Sequence, residues 1–142
     1  MGHDIRPMTL EDHAAAHRLW TQAEGLSLGE DDERERIGLY LARNPGLCFV
    51  AVAEGRVVGT VLCGHDGRRG ILRHLAVERE FRRRGIGGAL VKKSLEGLAA
   101  QGIKRCNLFV MDHNPEGLRF WERAGWRKLA EDYRTLQTGT GL

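Results

Sequence analysis

The chain has 142 residues, enough for one domain that buries a substantial core without disulfides or metals. Its 22 basic and 19 acidic residues leave a formal charge of +3, a balance that does not by itself mark a dedicated nucleic-acid binder, and no apolar run approaches the ~18 to 20 residues of a membrane span. Cys48, Cys63 and Cys106 are odd in number and scattered through apolar segments, which excludes a disulfide framework and a zinc motif and leaves buried free thiols in a reducing cytosol.

The start, "MGHDIRPM", is polar, holds no secretory apolar core, and places Arg6 where a myristoylation signal needs Ser or Thr. A soluble cytoplasmic protein is the expectation. A short strand over Asp4 to Arg6 precedes Pro7, and Thr9 then caps a helix, with Asp12 able to close a capping box. Ala16, Leu19, Trp20 and Ala23 recur at helical spacing. His13 and His17 share a face of this helix at i and i+4, but "HAAAH" lacks the glutamate of a zinc protease, so no metal is expected. Polar "GLSLGED" breaks the pattern, and Ile37, Tyr40 and Leu41 mark a second helix that stops before "NPG".

Residues 47–53 and 56–65 are rich in β-formers and are joined by Glu54-Gly55, a hairpin signal. "DGRRG" turns the chain again into the strand "ILRHLAV". Three antiparallel strands are thus expected to lead into "EFRRRGIGGAL". After it, Ile86, Leu90, Val91, Ser94, Leu95 and Leu98 line one face of a helix that Gly102 ends, and "RCNLFVM" reads as a buried strand. Strand, helix and strand of these lengths predict a right-handed crossover between parallel neighbours that splay apart at one end. Asn114 as cap and Pro115 at the first helical position start a further helix, ended by Gly125, before a last strand pair over residues 126–129 and 133–138. The pattern is a mixed α/β domain without repeats or linkers.

Charge is segregated along the chain: "EDDERE" gathers acids at 30–35, while Arg82, Arg83 and Arg84 are the densest basic run. The three arginines stand beside Gly85, Gly87 and Gly88 at a strand-to-helix turn. Glycines there weaken a helix, so the combination is costly unless an anion sits on it. Free N–H groups and the positive end of the helix favour a phosphate, the missing side chains let a bulky diphosphate approach, and the arginines add charge-assisted hydrogen bonds. A dinucleotide fingerprint is excluded because Leu90 stands where Gly or Ala is required, and the Gly-Lys-Ser/Thr ending of a nucleotide P-loop is missing.

The spacing present, Arg82-x-x-Gly85-x-Gly87 after "LAV", resembles motif A of the GNAT acyltransferase superfamily. "NPEGLRFWERAGW" at 114–126 is similar to the Asn-x-x-Ala-x-x-Phe-Tyr-x-x-x-Gly-Phe segment of that family, with Gly117, Trp121 and Trp126 as variants. The similarity is strong over about residues 47–129 and weak before them, and it is greatest to small bacterial acetyltransferases of undefined substrate. It implies a single GNAT domain over residues 1–142: a mostly antiparallel mixed sheet with a central splayed parallel pair, flanked by about four helices. It further implies acetyl-CoA as cosubstrate, with backbone groups of Leu75, Ala76 and Val77 on the pantetheine arm. Arg82, Arg83, Arg84, Gly85, Ile86, Gly87 and Gly88 would surround the diphosphate, and Asn114 would lie near the thiol. Trp121 stands where the family usually has the tyrosine that protonates the departing thiolate.

For acetyl transfer to an amine, the nucleophile must lose a proton, the oxyanion needs a donor and the thiolate leaves. Backbone N–H groups near Leu75 to Val77 are the candidate donors. His74 on the strand and His65 at the end of the preceding one are the histidines near the motif, and His74 is the candidate base. Glu30, Asp31 and Asp32 can recognise a cationic amine or relay its proton, although acids at a helix start also satisfy the dipole without any substrate. An indole N–H does not ionise usefully, which leaves Tyr133 as the reserve acid. The expected partner is a small-molecule or peptide amine, with a homodimer allowed and neither membrane nor nucleic acid involved. The competing readings are a catalytically silent acyl-CoA sensor or scaffold and a small RNA-binding domain, the latter disfavoured because Phe81 is alone as a stacking platform.

Overall fold

The computed structural model describes residues 2–142 as two compact units that divide between Met111 and Asp112. The first holds strands β1 (Asp4–Pro7), β2 (Phe49–Ala53), β3 (Arg56–His65), β4 (Gly70–Val77) and β5 (Cys106–Asn107), with helices α1 (His13–Gln22), α2 (Arg34–Arg43) and α3 (Ile86–Ala100). The strands form one sheet in the order β1-β2-β3-β4-β5. The first three pairings are antiparallel and the last is parallel.

Local chemistry accounts for the element ends. Glu54 and Gly55 both adopt positive φ, 53° and 74°, the combination whose twist suits a two-residue hairpin between β2 and β3. The Thr9 N–H donates to the Asp12 carboxylate at 2.9 Å, but that carboxylate is held chiefly by two 2.8 Å bonds from the Arg6 guanidinium, so the cap also ties α1 to β1. At α4 (Pro115–Arg123), the one helix of the second unit, Asn114 Oδ1 accepts from the Gly117 N–H at 3.1 Å.

Alternation along β3 builds two cores. Leu62 faces α1 and α2, where Ala16, Leu19, Trp20 and Ile37 pack with Val50 and Ala76. Its neighbour Cys63 faces α3, in a cluster with Leu47, Leu98 and Ile103. Complete burial of such aliphatic side chains contributes about 1.5 to 3 kcal/mol each, which holds a helical layer on either face of the sheet. The expected stripe of α3 buries Ile86, Leu90, Val91, Ser94 and Leu98, and Ser94 escapes a desolvation cost by donating to the Leu47 carbonyl at 2.8 Å. Leu95 departs from the expectation and keeps 38% of its exposure.

The segment expected to be a buried strand after α3 pairs at two positions alone, Gly70 with Cys106 and Ile71 with Asn107. Beyond them Phe109 is 66% exposed and Met111 40% exposed, so apolar composition overstated this strand. β4 runs on from Leu72 to Val77 without a partner on this edge, the expected parting of the two parallel strands. The strand pair expected over residues 126–129 and 133–138 is not formed; both stretches lack regular structure. They carry Arg127, Lys128 and Arg134, with Glu131 and Asp132 between them, and leave Leu129, Tyr133 and Leu136 exposed, and a two-stranded hairpin that buries no apolar face is marginal in water. Among the described residues no helix is long and apolar enough to cross a membrane.

Candidate functional site

The unpartnered end of β4 leads through a turn at Arg79–Phe81 into the glycine start of α3. Arg83 and Gly85 take left-handed conformations, φ 64° and 79°, which curl the chain so that the first N–H groups of α3 follow directly. No side chain caps that end and no acid lies in its first turn. Those donors therefore keep their capacity for an anion. A Cβ at Gly88 would meet no protein atom within 4 Å, so packing does not demand the glycine and the space beside it is open. Ile86 is buried and anchors the turn.

The three arginines divide their work. Arg82 Nε donates to the Val77 carbonyl at 3.0 Å and closes the loop on the end of β4. Arg84 lies over the ring of buried Phe81, 4.9 Å from its centroid, with Arg56 5.3 Å from the same ring. Arg56 also pairs with Glu78 at 2.7 Å. Arg83 is exposed. Phe81, which the sequence leaves without a partner aromatic, serves as the platform that positions two guanidinium groups.

Upstream on β4 the ladder is irregular. Thr60 faces Ala76 but Leu62 faces Arg73, so three steps on β4 oppose two on β3, and the strand bulges at His74 and Leu75. His74 sits at φ 50°. A left-handed conformation at a residue other than glycine costs about 1 to 3 kcal/mol and persists where its surroundings over-determine it. Here they do: the Thr60 hydroxyl donates to the His74 carbonyl at 2.9 Å, and Trp20 Nε1–H donates to the Thr60 oxygen at 2.8 Å. Thr60 and Trp20 are buried, and the Trp20 ring meets the His74 imidazole edge-on at 4.8 Å.

The His74 ring bonds the Asp32 carboxylate, Nε2 to Oδ1, at 2.6 Å. Asp32 ends a short 3-10 turn over Glu30–Asp32 that precedes α2; its Oδ2 accepts from the Gly29 N–H at 2.9 Å and its carbonyl accepts from His13 Nε2 at 2.8 Å. Of the three expected acids, Asp32 is the one turned inward, while Glu30 and Asp31 are exposed. His65 is engaged elsewhere, with Gln101 at 2.8 Å and the Gly67 N–H at 3.0 Å, beside Gly70 at the opposite end of β4 from Val77. The roles of Thr60 and Trp20 were not readable beforehand, since 40 residues separate them and neither lies in a motif.

Leu75 and Val77 are half-buried and Ala76 is buried in the core. In the second unit, Trp121 packs edge-on against Phe120 at 5.1 Å and Trp126 at 5.2 Å, a small aromatic cluster of α4 and its end. Tyr133 is 74% exposed. Burial pushes the Cys48 thiol up to about 11, and a hydrogen bond shared by Cys63 and Cys106 raises the first and lowers the second. Cys106 is half-buried rather than buried as expected, and it pairs with Gly70, at the end of β4 remote from Val77. Among the described residues no cluster of side chains fits a metal ion.

A splayed parallel pair, a bulged strand and an uncapped glycine helix start thus converge at one strand end. The sequence profile described as "Acetyltransferase (GNAT) family" matches residues 9–126. The chain belongs to this family. It is 33% identical over 120 residues to an acetyltransferase of Pectobacterium atrosepticum, covering 84% of each chain. To an acetyltransferase of Photorhabdus laumondii it is 35% identical over 120 residues, covering 84% of this chain and 83% of the other. The crystal structure of PaiA N-acetyltransferase from Thermoplasma acidophilum in complex with coenzyme A superposes with a TM-score of 0.80 at 19% identity, over 93% of this chain and 94% of that one. The protein is therefore an acetyl-CoA-dependent GNAT enzyme with acetyl-CoA as cosubstrate.

Proposed function

We propose that this GNAT enzyme acetylates a primary amine by direct attack on acetyl-CoA in a ternary complex, within one transferase domain over residues 1–142. The family match from residue 9 to 126 runs through both compact units and supports the single domain. The observation that carries the reading is β4, which parts from β5 after Ile71 and feeds an uncapped, glycine-opened α3. In this reading the α3 N–H groups and Arg82 to Gly88 hold the diphosphate, and the backbone of Leu75, Ala76 and Val77 takes the pantetheine arm. Asn114 and Trp121 serve the arm nearer the thiol.

Acetyl-CoA supplies an activated carbonyl. His74 accepts the proton that the amine nitrogen loses, and N–H groups of the bulge at Leu75 stabilise the oxyanion. Glu30 and Asp31 favour a cationic acceptor, a small molecule or a peptide amine. A thiol with a pKa near ~8.5 is a tolerable leaving group, so the thiolate can take its proton from water, with Tyr133 in reserve. Cys48 and Cys63 are buried and held protonated, which favours direct attack over an acyl-cysteine route, and three free thiols suit a reducing cytoplasm.

Calorimetric titration with acetyl-CoA, followed by thiol release across a panel of amines, tests the proposal. Saturable binding with release for at least one amine is expected. Tight binding without release for any amine would identify an acyl-CoA sensor instead, and no binding would defeat the reading.

A further inference from the structure

We propose that Asp32 is a positioning residue that fixes the tautomer of His74, leaving Nδ1 as the atom that takes the amine proton; this rests on the reading of His74 as the base. The Asp32 carboxylate is an acceptor on both oxygens. Oδ2 is committed to the Gly29 N–H at 2.9 Å, which leaves Oδ1, at 2.6 Å, to accept from the imidazole. A neutral His74 must then carry its hydrogen on Nε2, and its lone pair is on Nδ1. Nδ1 has no hydrogen-bond partner among the described residues. His74 keeps 12% and Asp32 13% of side-chain exposure, so the pair is largely shielded, and because no unpartnered side-chain nitrogen among the described residues is fully buried, Nδ1 is not sealed off.

The turn that carries the carboxylate and the ring it faces are both braced. His13 donates Nε2–H to the Asp32 carbonyl, and Trp20 closes the other side of the imidazole. Base and orienting carboxylate thus come from the sheet and from the turn before α2, 42 residues apart, and this follows the general logic of a base held by a third group. In the step, the bond from amine nitrogen to acetyl carbon forms and the carbon–sulfur bond breaks. The nitrogen's proton passes to His74 Nδ1, and the sulfur leaves with the electron pair of the broken bond and is protonated by water.

Asp32→Asn separates orientation from mere packing. Asparagine offers one oxygen and one NH₂ at the same positions. If the oxygen keeps the Gly29 N–H, the NH₂ faces His74 Nε2, which must become the acceptor, and the imidazole proton moves to Nδ1. The test records the ¹⁵N resonances of the His74 ring in the whole protein and steady-state rates with acetyl-CoA and the best amine of the panel. The wild type is expected to show hydrogen on Nε2 and a bare Nδ1, and Asp32→Asn the reverse. The variant's kcat should fall by about 10² or more, the range of general base catalysis, with KM for acetyl-CoA unchanged. A wild-type ring with its hydrogen on Nδ1 overturns the proposal without any variant, even if Asp32→Asn fails to fold. So does an Asp32→Asn enzyme within about threefold of wild-type kcat while His74→Gln is crippled. If His74→Gln itself retains full activity, the base reading is lost, and the proposal with it.

Discussion

The loop from Arg82 to Gly88 and the bulge at His74 adjoin the same strand, yet they are built on different principles. The loop is contiguous in sequence, offers backbone N–H groups and exposed charge, and is anchored by little side-chain packing beyond Ile86 and the adjoining Phe81. The bulge draws on residues 13, 20, 32, 60 and 74 and places a strained backbone under buried hydrogen bonds. A group that every acetyl-CoA presents alike can be held by a local device. A proton acceptor, the role proposed for His74, has to be aimed at one atom, and aiming requires struts from several elements.

The comparison can be broken most forcefully at the loop. Gly87→Glu places a carboxylate in the proposed diphosphate site, and acetyl-CoA affinity is expected to fall by at least about 100-fold, or ~2.7 kcal/mol, while the circular dichroism stays native. Unchanged calorimetric affinity would remove the loop from the cosubstrate site.

At the bulge, Thr60→Val deletes the acceptor of Trp20 Nε1–H and the donor to the His74 carbonyl, both in buried surroundings. Leaving such groups unpaired costs about 1 to 3 kcal/mol, to be read from the urea midpoint, and Thr60→Ser should restore most of it. A neutral Thr60→Val would mean that the bulge needs no strut.

Arg84→Ala sharpens the contrast, because it removes one exposed charge and leaves the backbone cradle. About tenfold weaker acetyl-CoA binding is expected, shrinking as salt is raised. A loss equal to that of Gly87→Glu would show that side-chain charge, rather than backbone, dominates the loop.

The smallest effects are expected in the second unit. Trp121→Phe should keep most activity, and Tyr133→Phe should change kcat by less than about threefold, since the proposed mechanism needs no dedicated acid for the thiolate. A loss of two decades in Tyr133→Phe at unchanged cosubstrate affinity would establish one, that being the scale of general acid catalysis.

What the sequence determined by itself is the part governed by short spacings. The Glu54-Gly55 hairpin, the Asn114-Pro115 helix start, the buried stripe of α3 and the glycine turn before it all follow from residues within a few positions of one another. Where local patterns lacked a tertiary partner they misled: the apolar run after α3 pairs at Cys106 and Asn107 alone, and the β-prone stretches beyond Gly125 form no strands. Tertiary structure alone decided which of three neighbouring acids turns inward, that Thr60 and Trp20 brace a left-handed His74, and that Phe81 carries two guanidinium groups. These depend on the one-residue register shift between β3 and β4, which rotates His74 toward residues distant in the chain. A register is chosen by the packing of whole faces against α1 and α2, and no short window of sequence contains that sum.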